Sequence, residues 1–183
     1  MTALGLTLLT GRYHATAWDR HVNEGVCEWP PAPFRVLRAL AAALLERCAP
    51  DDREAGLAVL QRLTAPPRYR VPAALPGHTR HYLSRNQVER TATALAFDAF
   101  VSVGRAGEGA ELELHWDVEL CPAERAVLGR MAAAVPYLGR AESWCRLRLL
   151  AADDAGRPNC GPREGGPVRL LCARSDIGVE ALL

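Results

Sequence analysis

Arginine, histidine and aromatic residues alternate in two polar stretches of the chain, residues 11–21 and 76–86. Together these stretches hold four of the five histidines. The planar guanidinium of arginine can bind two phosphate oxygens at once, and the flat faces of tyrosine and tryptophan can carry unstacked bases. This mixture of residues is typical of a groove that binds single-stranded RNA.

The candidate RNA-binding residues come from these two stretches, from the first predicted helix and from a Leu-Gly-Arg turn near residue 139. They are Arg12, Tyr13, His14, Arg20, His21, Arg38, His78, Arg80, His81, Tyr82, Arg85, Gly139 and Arg140. No histidine, cysteine or carboxylate cluster shows metal-ligand spacing, so we predict no metal site. We also assign no catalytic residue, and no cofactor other than the bound RNA.

Two other interpretations of the same residues stay open. An imidazole that titrates near neutral pH can act as a general acid or base on a ribose 2′-hydroxyl. His14 or His78 would then serve a metal-independent endoribonuclease that processes precursor RNA. In the third interpretation the arginines reflect only genome composition, and the chain is a protein-binding module.

Length and composition limit the class of protein. The chain has 183 residues, of which 49% are hydrophobic, enough for one domain with a real core. All 22 basic residues are arginine, yet the formal net charge is only +1. This balance excludes a broad, non-specific nucleic-acid coat, so any nucleic-acid site must be local.

The cysteines and the hydropathy pattern indicate the compartment. Six cysteines are spread along the chain without C-x-x-C or zinc-finger spacing, as expected for buried thiols in a reducing cytosol. No signal-peptide pattern is visible, and no apolar stretch approaches the roughly 20 residues that span a bilayer. We therefore expect a cytoplasmic protein without a membrane partner.

Hydrophobic periodicity predicts the elements that must position the candidate residues. The expected order is a strand at 3–9, a helix at 34–48, a second helix capped by Asp51 or Asp52, strands at 95–103 and 112–116, a helix from Pro122, and a strand at 144–150. Residues 68–93 show no clear period and are expected to form a long inserted loop, with at most a small hairpin. This order matches the ferredoxin-like βαββαβ plan of the α+β class, which also serves RNA-recognition domains.

The packing and the domain limits follow from the same pattern. We expect one core that contains Leu37, Phe97, Leu112 and Leu147, with Glu113 and His115 on a solvated strand face. Residues 1–152 would form one domain. Residues 153–183 would form a Gly/Pro-rich extension with one more strand at 168–172, and the apolar end of the chain suggests a fragment of a longer protein.

Six motifs in roughly the first 150 residues carry a resemblance to a known family. They are GRYHAT at 11–16, RHVNEG at 20–25, EWPP at 28–31, FRVLRAL at 34–40, GHTRHY at 77–82 and YLGRAESW at 137–144. Together they resemble the Csb-two family, the fused Cas-five/Cas-six proteins of type I-G (formerly I-U) CRISPR effector complexes. This family belongs to the RAMP superfamily of ferredoxin-like, RNA-binding domains.

The resemblance implies a Cas-five-like subunit of an antiviral ribonucleoprotein. Such a subunit holds the repeat-derived 5′ handle of CRISPR RNA and caps a filament of Cas-seven-like backbone subunits, beside a large Cas-eight-like subunit. The RAMP glycine-rich loop would lie at 138–140, and the Cas-five thumb would be the insert at 68–93, before the second strand. The Cas-six-like half, with its endoribonuclease activity on CRISPR precursor RNA, is expected to follow this chain.

Overall fold

The computed structural model describes residues 1–87, 90–104 and 110–174, with side chains described except at 82–97. In this part of the chain the fold is mixed α+β, with two antiparallel sheets and three helices. The strands are β1 (Thr2–Leu8), β2 (Arg12–Tyr13), β3 (Arg68–Arg70), β4 (Ala74–Gln87), β5 (Arg90–Val103), β6 (Leu112–Trp116) and β7 (Cys145–Leu149). The helices are α1 (Pro33–Arg47), α2 (Arg53–Arg62) and α3 (Pro122–Ala133).

The first sheet has the strand order β3-β6-β1-β7, and the second has the order β2-β5-β4. Strand β1 pairs with β7, with Leu6 opposite Leu147, which confirms that the first and last predicted strands share a sheet. Leu37, Leu112 and Leu147 belong to one buried cluster, as expected. The side chain of Phe97, the fourth predicted core residue, lies outside the described residues.

The helices begin where the sequence predicts, within one or two residues. Proline occupies the first turn of both α1 and α3, where its missing N–H costs nothing. The predicted cap of α2 is different, because the side chain of Asp52 makes no capping hydrogen bond. Its carboxylate instead accepts a hydrogen bond from Arg130 Nε of α3 at 2.8 Å. The aspartate therefore ties two helices together.

The predicted hairpin between strands 95–103 and 112–116 is wrong. Strand β6 lies between β1 and β3, whereas β5 pairs with β4 in a hairpin of the second sheet. Residues 68–93 are therefore not a long loop: they supply β3, β4 and the start of β5. Alternation of side chains identifies a strand face but not a strand partner, and β3 is too short to show a period. The presence of Pro76 and Gly77 also led to the prediction of a loop where the structure has β4.

The expected solvated face of β6 is wrong as well. Glu113 and His115 are each only 1% exposed. Residues 156–160 fold back against this face and against the edge strand β3: the Gly156 N–H donates to Glu113 Oε2 at 2.8 Å, and the Asn159 N–H donates to the Tyr69 carbonyl oxygen at 2.8 Å. When a distant part of the chain buries a strand face, the sequence of the strand itself does not indicate that burial.

The predicted strand at 168–172 is not formed. This stretch is irregular, and the Leu171 carbonyl oxygen accepts a hydrogen bond from the Phe34 N–H at the start of α1, at 3.1 Å. Among the described residues, no helix combines the length and the hydropathy needed to cross a membrane.

Candidate nucleic-acid interface

The first candidate stretch and the glycine-containing turn meet at the base of the β4–β5 hairpin. Strand β2 adds to that hairpin, with Arg12 opposite Ser102. The Arg140 N–H donates to the His14 carbonyl oxygen at 2.9 Å, and the His14 N–H donates to the Ser143 hydroxyl oxygen at 2.7 Å. Main-chain groups thus fix the two segments side by side.

Gly139 permits this close approach of two backbones. Its φ is +83°, in the left-handed region that favours glycine. A Cβ atom at this position would collide with the carbonyl oxygen of His14 and would lie 3.1 Å from Cβ of Ala15. The glycine in the predicted turn is therefore required by the local geometry.

Five side chains collect where these segments meet, and we name them the hairpin-base cluster: Arg12, His14, Asp98, Phe100 and Arg140. Asp98 accepts a hydrogen bond from Arg140 Nη1 at 2.6 Å, and its other oxygen lies 3.2 Å from His14 Nδ1. The guanidinium carbon of Arg12 lies 4.9 Å from the centroid of the Phe100 ring, a cation–π contact. The cluster thus places one guanidinium and an imidazole at the Asp98 carboxylate, and a second guanidinium against the Phe100 ring.

The members of the hairpin-base cluster differ in their access to solvent. Arg12 is exposed, and the Arg140 side chain is 37% exposed. His14 is only 8% exposed, and its Nδ1 atom is buried without hydrogen-bond geometry to Asp98. The contact between His14 and Asp98 is therefore a close approach of the two side chains and not a hydrogen bond. The two arginines are the groups that an incoming phosphate can reach.

The second candidate stretch lies on β4, and its residues divide between two faces of the hairpin. Thr79 is opposite Asp98 in the register, so Thr79 and His81 share the face of the hairpin-base cluster. The Thr79 hydroxyl lies 3.0 Å from His81 Nε2. His78 and Arg80 are exposed at the alternate positions, on the other face. The backbones of the three segments therefore meet at the hairpin base, whereas the side chains of His78 and Arg80 lie on the other face. A shared RNA groove stays a prediction.

Tyr82 and Arg85 continue along β4, paired with Leu95 and Ala92. Their side chains lie outside the described residues. Base stacking by Tyr82 and phosphate binding by Arg85 stay predictions.

Tyr13 is not a platform for a base, contrary to the expectation. Its side chain is 0% exposed, and its hydroxyl donates to Glu28 Oε1 at 3.0 Å. Glu28 also accepts hydrogen bonds from Arg35 Nε at 2.9 Å and from the Ala32 N–H at 2.8 Å. Burial raises the pKa of Tyr13 well above its usual value, and the nearby charge of Glu28 adds to this effect. In an alternating strand every second side chain packs into the core, and Tyr13 lies at such a position.

The remaining candidates with described side chains, Arg20, His21 and Arg38, are exposed. Arg20 pairs with Glu24 at 3.1 Å, and the His21 N–H donates to the same carboxylate at 2.8 Å. Arg38 is exposed on α1. None of these side chains bonds to the cluster within the part of the chain that the structure describes.

Sequence reasoning missed Asp98, Phe100 and Ser143. Asp98 carried a detectable signal, since it is a lone carboxylate within an apolar strand pattern. Ser143 is completely buried, and its role depends on a hydrogen bond to a residue 129 positions away. Such a contact has no signature in the local sequence.

Among the described residues, no group of three or more histidine, cysteine or carboxylate side chains is arranged to hold a metal ion. The arrangement instead offers exposed guanidinium groups beside an aromatic ring and a glycine turn. Comparison with known proteins gave no matching family model and no matching curated sequence.

Proposed function

We propose that this chain is an RNA-binding subunit of a type I-G CRISPR effector complex, which grips the 5′ handle of CRISPR RNA. The hairpin-base cluster carries the proposal. Arg12 is exposed and held against Phe100, beside Arg140 and the glycine turn. A guanidinium fixed at such a junction binds phosphate without ordering a long side chain first. The motif resemblance supplies the RNA class and the complex.

The connectivity of the first sheet supports the same proposal. Its four strands follow the order β7-β1-β6-β3, with helices after β1 and β6 and with antiparallel neighbours. We interpret this as a ferredoxin-like domain of the RAMP kind, the plan that RNA-recognition domains share. The β4–β5 hairpin would be the thumb, inserted after the second strand of that plan, not before it.

Because another part of the chain lies against the first sheet, we favour the hairpin base as the RNA site. In RNA-recognition domains the bases stack on an open sheet. Here residues 156–160 lie against β3 and β6, and Arg148 of β7 is bound to Glu111 at 2.8 Å and to Asp154 at 3.6 Å. RNA would therefore follow the hairpin-base cluster and the face of β4 that holds His81.

The proposed partners follow from the same assignment. They are Cas-seven-like backbone subunits, a large Cas-eight-like subunit and a Cas-six-like half that processes the RNA. The chain would cap the backbone filament at the 5′ end of the guide.

Binding to handle RNA at several salt concentrations tests the proposal. Fluorescence anisotropy should show that Arg12→Ala and Arg140→Ala weaken binding, each lowering the salt slope by about 0.7 because one contact to a single-stranded phosphate is lost. The control is Arg53→Ala, an exposed arginine of α2, which should leave the slope unchanged. Arg80→Ala should have less effect than Arg12→Ala, since Arg80 is on the other face of the hairpin. Absence of binding by the wild type, or unchanged binding in Arg12→Ala and Arg140→Ala, would refute the proposal.

One observation favours a second candidate, a metal-independent endoribonuclease. His14 Nδ1 lies 3.2 Å from the carboxylate of Asp98, so two residue types that serve as general acids and bases lie side by side. Incubation of repeat RNA with the protein in EDTA separates the two functions. We expect no cleavage. Cleavage that is lost in His14→Gln and kept in His81→Gln would reverse the ranking of the two candidates.

A further inference from the structure

A groove of about 1000 Å³ lies between residues 17–29 and 166–171. Its volume is at the upper end of the range for ligand pockets in proteins. Trp18, Arg20, Glu28 and Trp29 line the groove from the first segment, and Val168 and Arg169 line it from the second. The groove is outside the hairpin-base cluster, and we name it the Trp18 groove.

Trp18 presents its ring to solvent at the mouth of this groove. The residue is 66% exposed, although an indole is large and mostly apolar. The turn that carries it is well defined. The Arg20 N–H donates to the Ala17 carbonyl oxygen at 3.2 Å, and the Ala17 N–H donates to the Val26 carbonyl oxygen at 3.2 Å. Asp19 has a φ of +61°, a conformation that non-glycine residues adopt at some energetic cost and often at binding sites.

The charged side chains at the walls of the Trp18 groove indicate which kind of ligand the groove can bind. Arg169 forms no ion pair with any residue that the structure describes, and Arg20 shares its charge with Glu24 at 3.1 Å. Glu28 is already bonded to Arg35 and Tyr13, and Asp19 adds one carboxylate at the rim. The arginine of the second wall is therefore available to an anion.

We propose that the Trp18 groove binds one nucleotide of single-stranded RNA. The base stacks on the indole of Trp18, and the adjoining phosphate pairs with the guanidinium of Arg169. Aromatic faces accept any base, so this contact adds affinity without reading sequence. The inference rests on the proposed RNA-binding function and adds a second contact point, supplied by the 17–29 loop and the segment at 166–171.

Titration with a labelled short oligoadenylate tests the inference. Trp18→Ala should weaken binding about 5- to 100-fold, as for the loss of one stacked base, and Trp18→Phe should recover part of the affinity. Arg169→Ala should lower the salt slope by about 0.7. The matched controls are Trp144→Ala, which removes an indole that is 61% exposed outside the groove, and Arg163→Ala, which removes an exposed arginine that does not line it. Both controls should bind as the wild type does.

The outcomes separate this inference from the proposed function. Unchanged affinity in Trp18→Ala and Arg169→Ala, together with weakened binding in Arg12→Ala, overturns the groove and leaves the proposed function standing. Equal losses in Trp18→Ala and Trp144→Ala also overturn the groove. A wild-type protein that binds neither oligoadenylate nor handle RNA overturns both.

Discussion

Glu28 shows at the residue scale how a candidate binding loop is held in place. The carboxylate is 5% exposed and accepts hydrogen bonds from the Tyr13 hydroxyl, the Arg35 guanidinium and the Ala32 N–H. A buried carboxylate with this number of donors has its desolvation offset by charge-assisted hydrogen bonds. It joins β2 to the start of α1, immediately beside the hairpin-base cluster.

Replacing Glu28 by glutamine should destabilise the fold without changing the side-chain volume. The amide keeps one acceptor but loses the charge that Arg35 and Tyr13 require, so we expect a loss of about 1–3 kcal/mol in the free energy of unfolding. Urea denaturation followed by circular dichroism measures it. Glu46→Gln is the control, since Glu46 and Arg47 form an exposed pair at 3.6 Å, for which a change within about 0.5 kcal/mol is expected. Equal effects of the two substitutions would contradict this account.

Glu113 makes the stability depend on pH. Burial raises the pKa of this carboxyl, but the Arg70 guanidinium at 2.6 Å and the Gly156 N–H at 2.8 Å lower it, and the lowering prevails. His115 Nε2, at 3.0 Å, acts in the same direction. A carboxyl with a lowered pKa in the folded state contributes stability above the unfolded pKa, which is about 4.3. This contribution is lost as the pH falls through the folded pKa.

The wild type should therefore lose its advantage over Glu113→Gln in acid. We expect a clear difference in urea midpoint between the two proteins at neutral pH, and a difference that shrinks as the pH falls below about 4.3. Urea midpoints at a series of pH values measure it. A difference that stays constant from pH 7 to acid would show that the charge of Glu113 does not stabilise the fold.

At the scale of elements, the glycine turn sets the distance between the hairpin base and the start of β7. Gly139 lies against the backbone of His14, and Arg140 follows it into the hairpin-base cluster. The β4–β5 hairpin contributes Asp98 and Phe100 from the opposite side. The geometry of the cluster therefore depends on a turn that only a residue without Cβ can form.

Gly139→Ala should destabilise the protein, whereas Gly129→Ala should not. The first substitution combines a positive φ with a backbone collision, and we expect a cost of at least about 1–3 kcal/mol. Gly129 lies inside α3, and a Cβ there meets nothing within 4 Å. The second substitution should therefore stabilise the helix by about 0.5–1 kcal/mol. Chemical unfolding of both variants measures the two effects, and a neutral Gly139→Ala would contradict the described turn.

At the scale of the whole molecule, residues 156–160 lie against β6 and the edge strand β3 of the first sheet. Tyr69 of β3 exchanges backbone hydrogen bonds with Cys160, at 2.8 and 3.0 Å. Asn159 bonds through its side chain to both backbone groups of Val71, at 2.8 and 2.9 Å. Leu170 packs against the core. These contacts attach residues 159–170 to β3, to Val71 and to the core.

Deletion of residues 153–183 should therefore lower stability by about 4–10 kcal/mol, because seven hydrogen bonds to residues 156–171 are lost and each contributes about 0.5–1.5 kcal/mol. The deletion also exposes the buried Glu113 and His115. Thermal unfolding and binding of a hydrophobic dye measure the effect. Asn159→Ala should reproduce a fraction of it, because it removes only the two bonds to Val71. A truncated protein as stable as the full chain would show that the cover is not structural.

The helices and three of the four strands of the first sheet could be predicted from the sequence. Apolar residues spaced along one helix face, together with Pro33 and Pro122 in the first turns, define α1 and α3 locally. Alternation likewise defines β1, β6 and β7. The arginines, histidines and Gly139 that mark the candidate interface were also visible, because their chemistry belongs to the residue type.

Only the tertiary structure decided which strands pair and which side chains meet. The pairing of β6 with β3, the contact of His14 with Asp98 and the burial of His115 all depend on residues that are distant in the sequence. Periodicity reports how one segment alternates between two environments. It does not report which distant segment supplies the environment, and that choice depends on the packing of the whole chain.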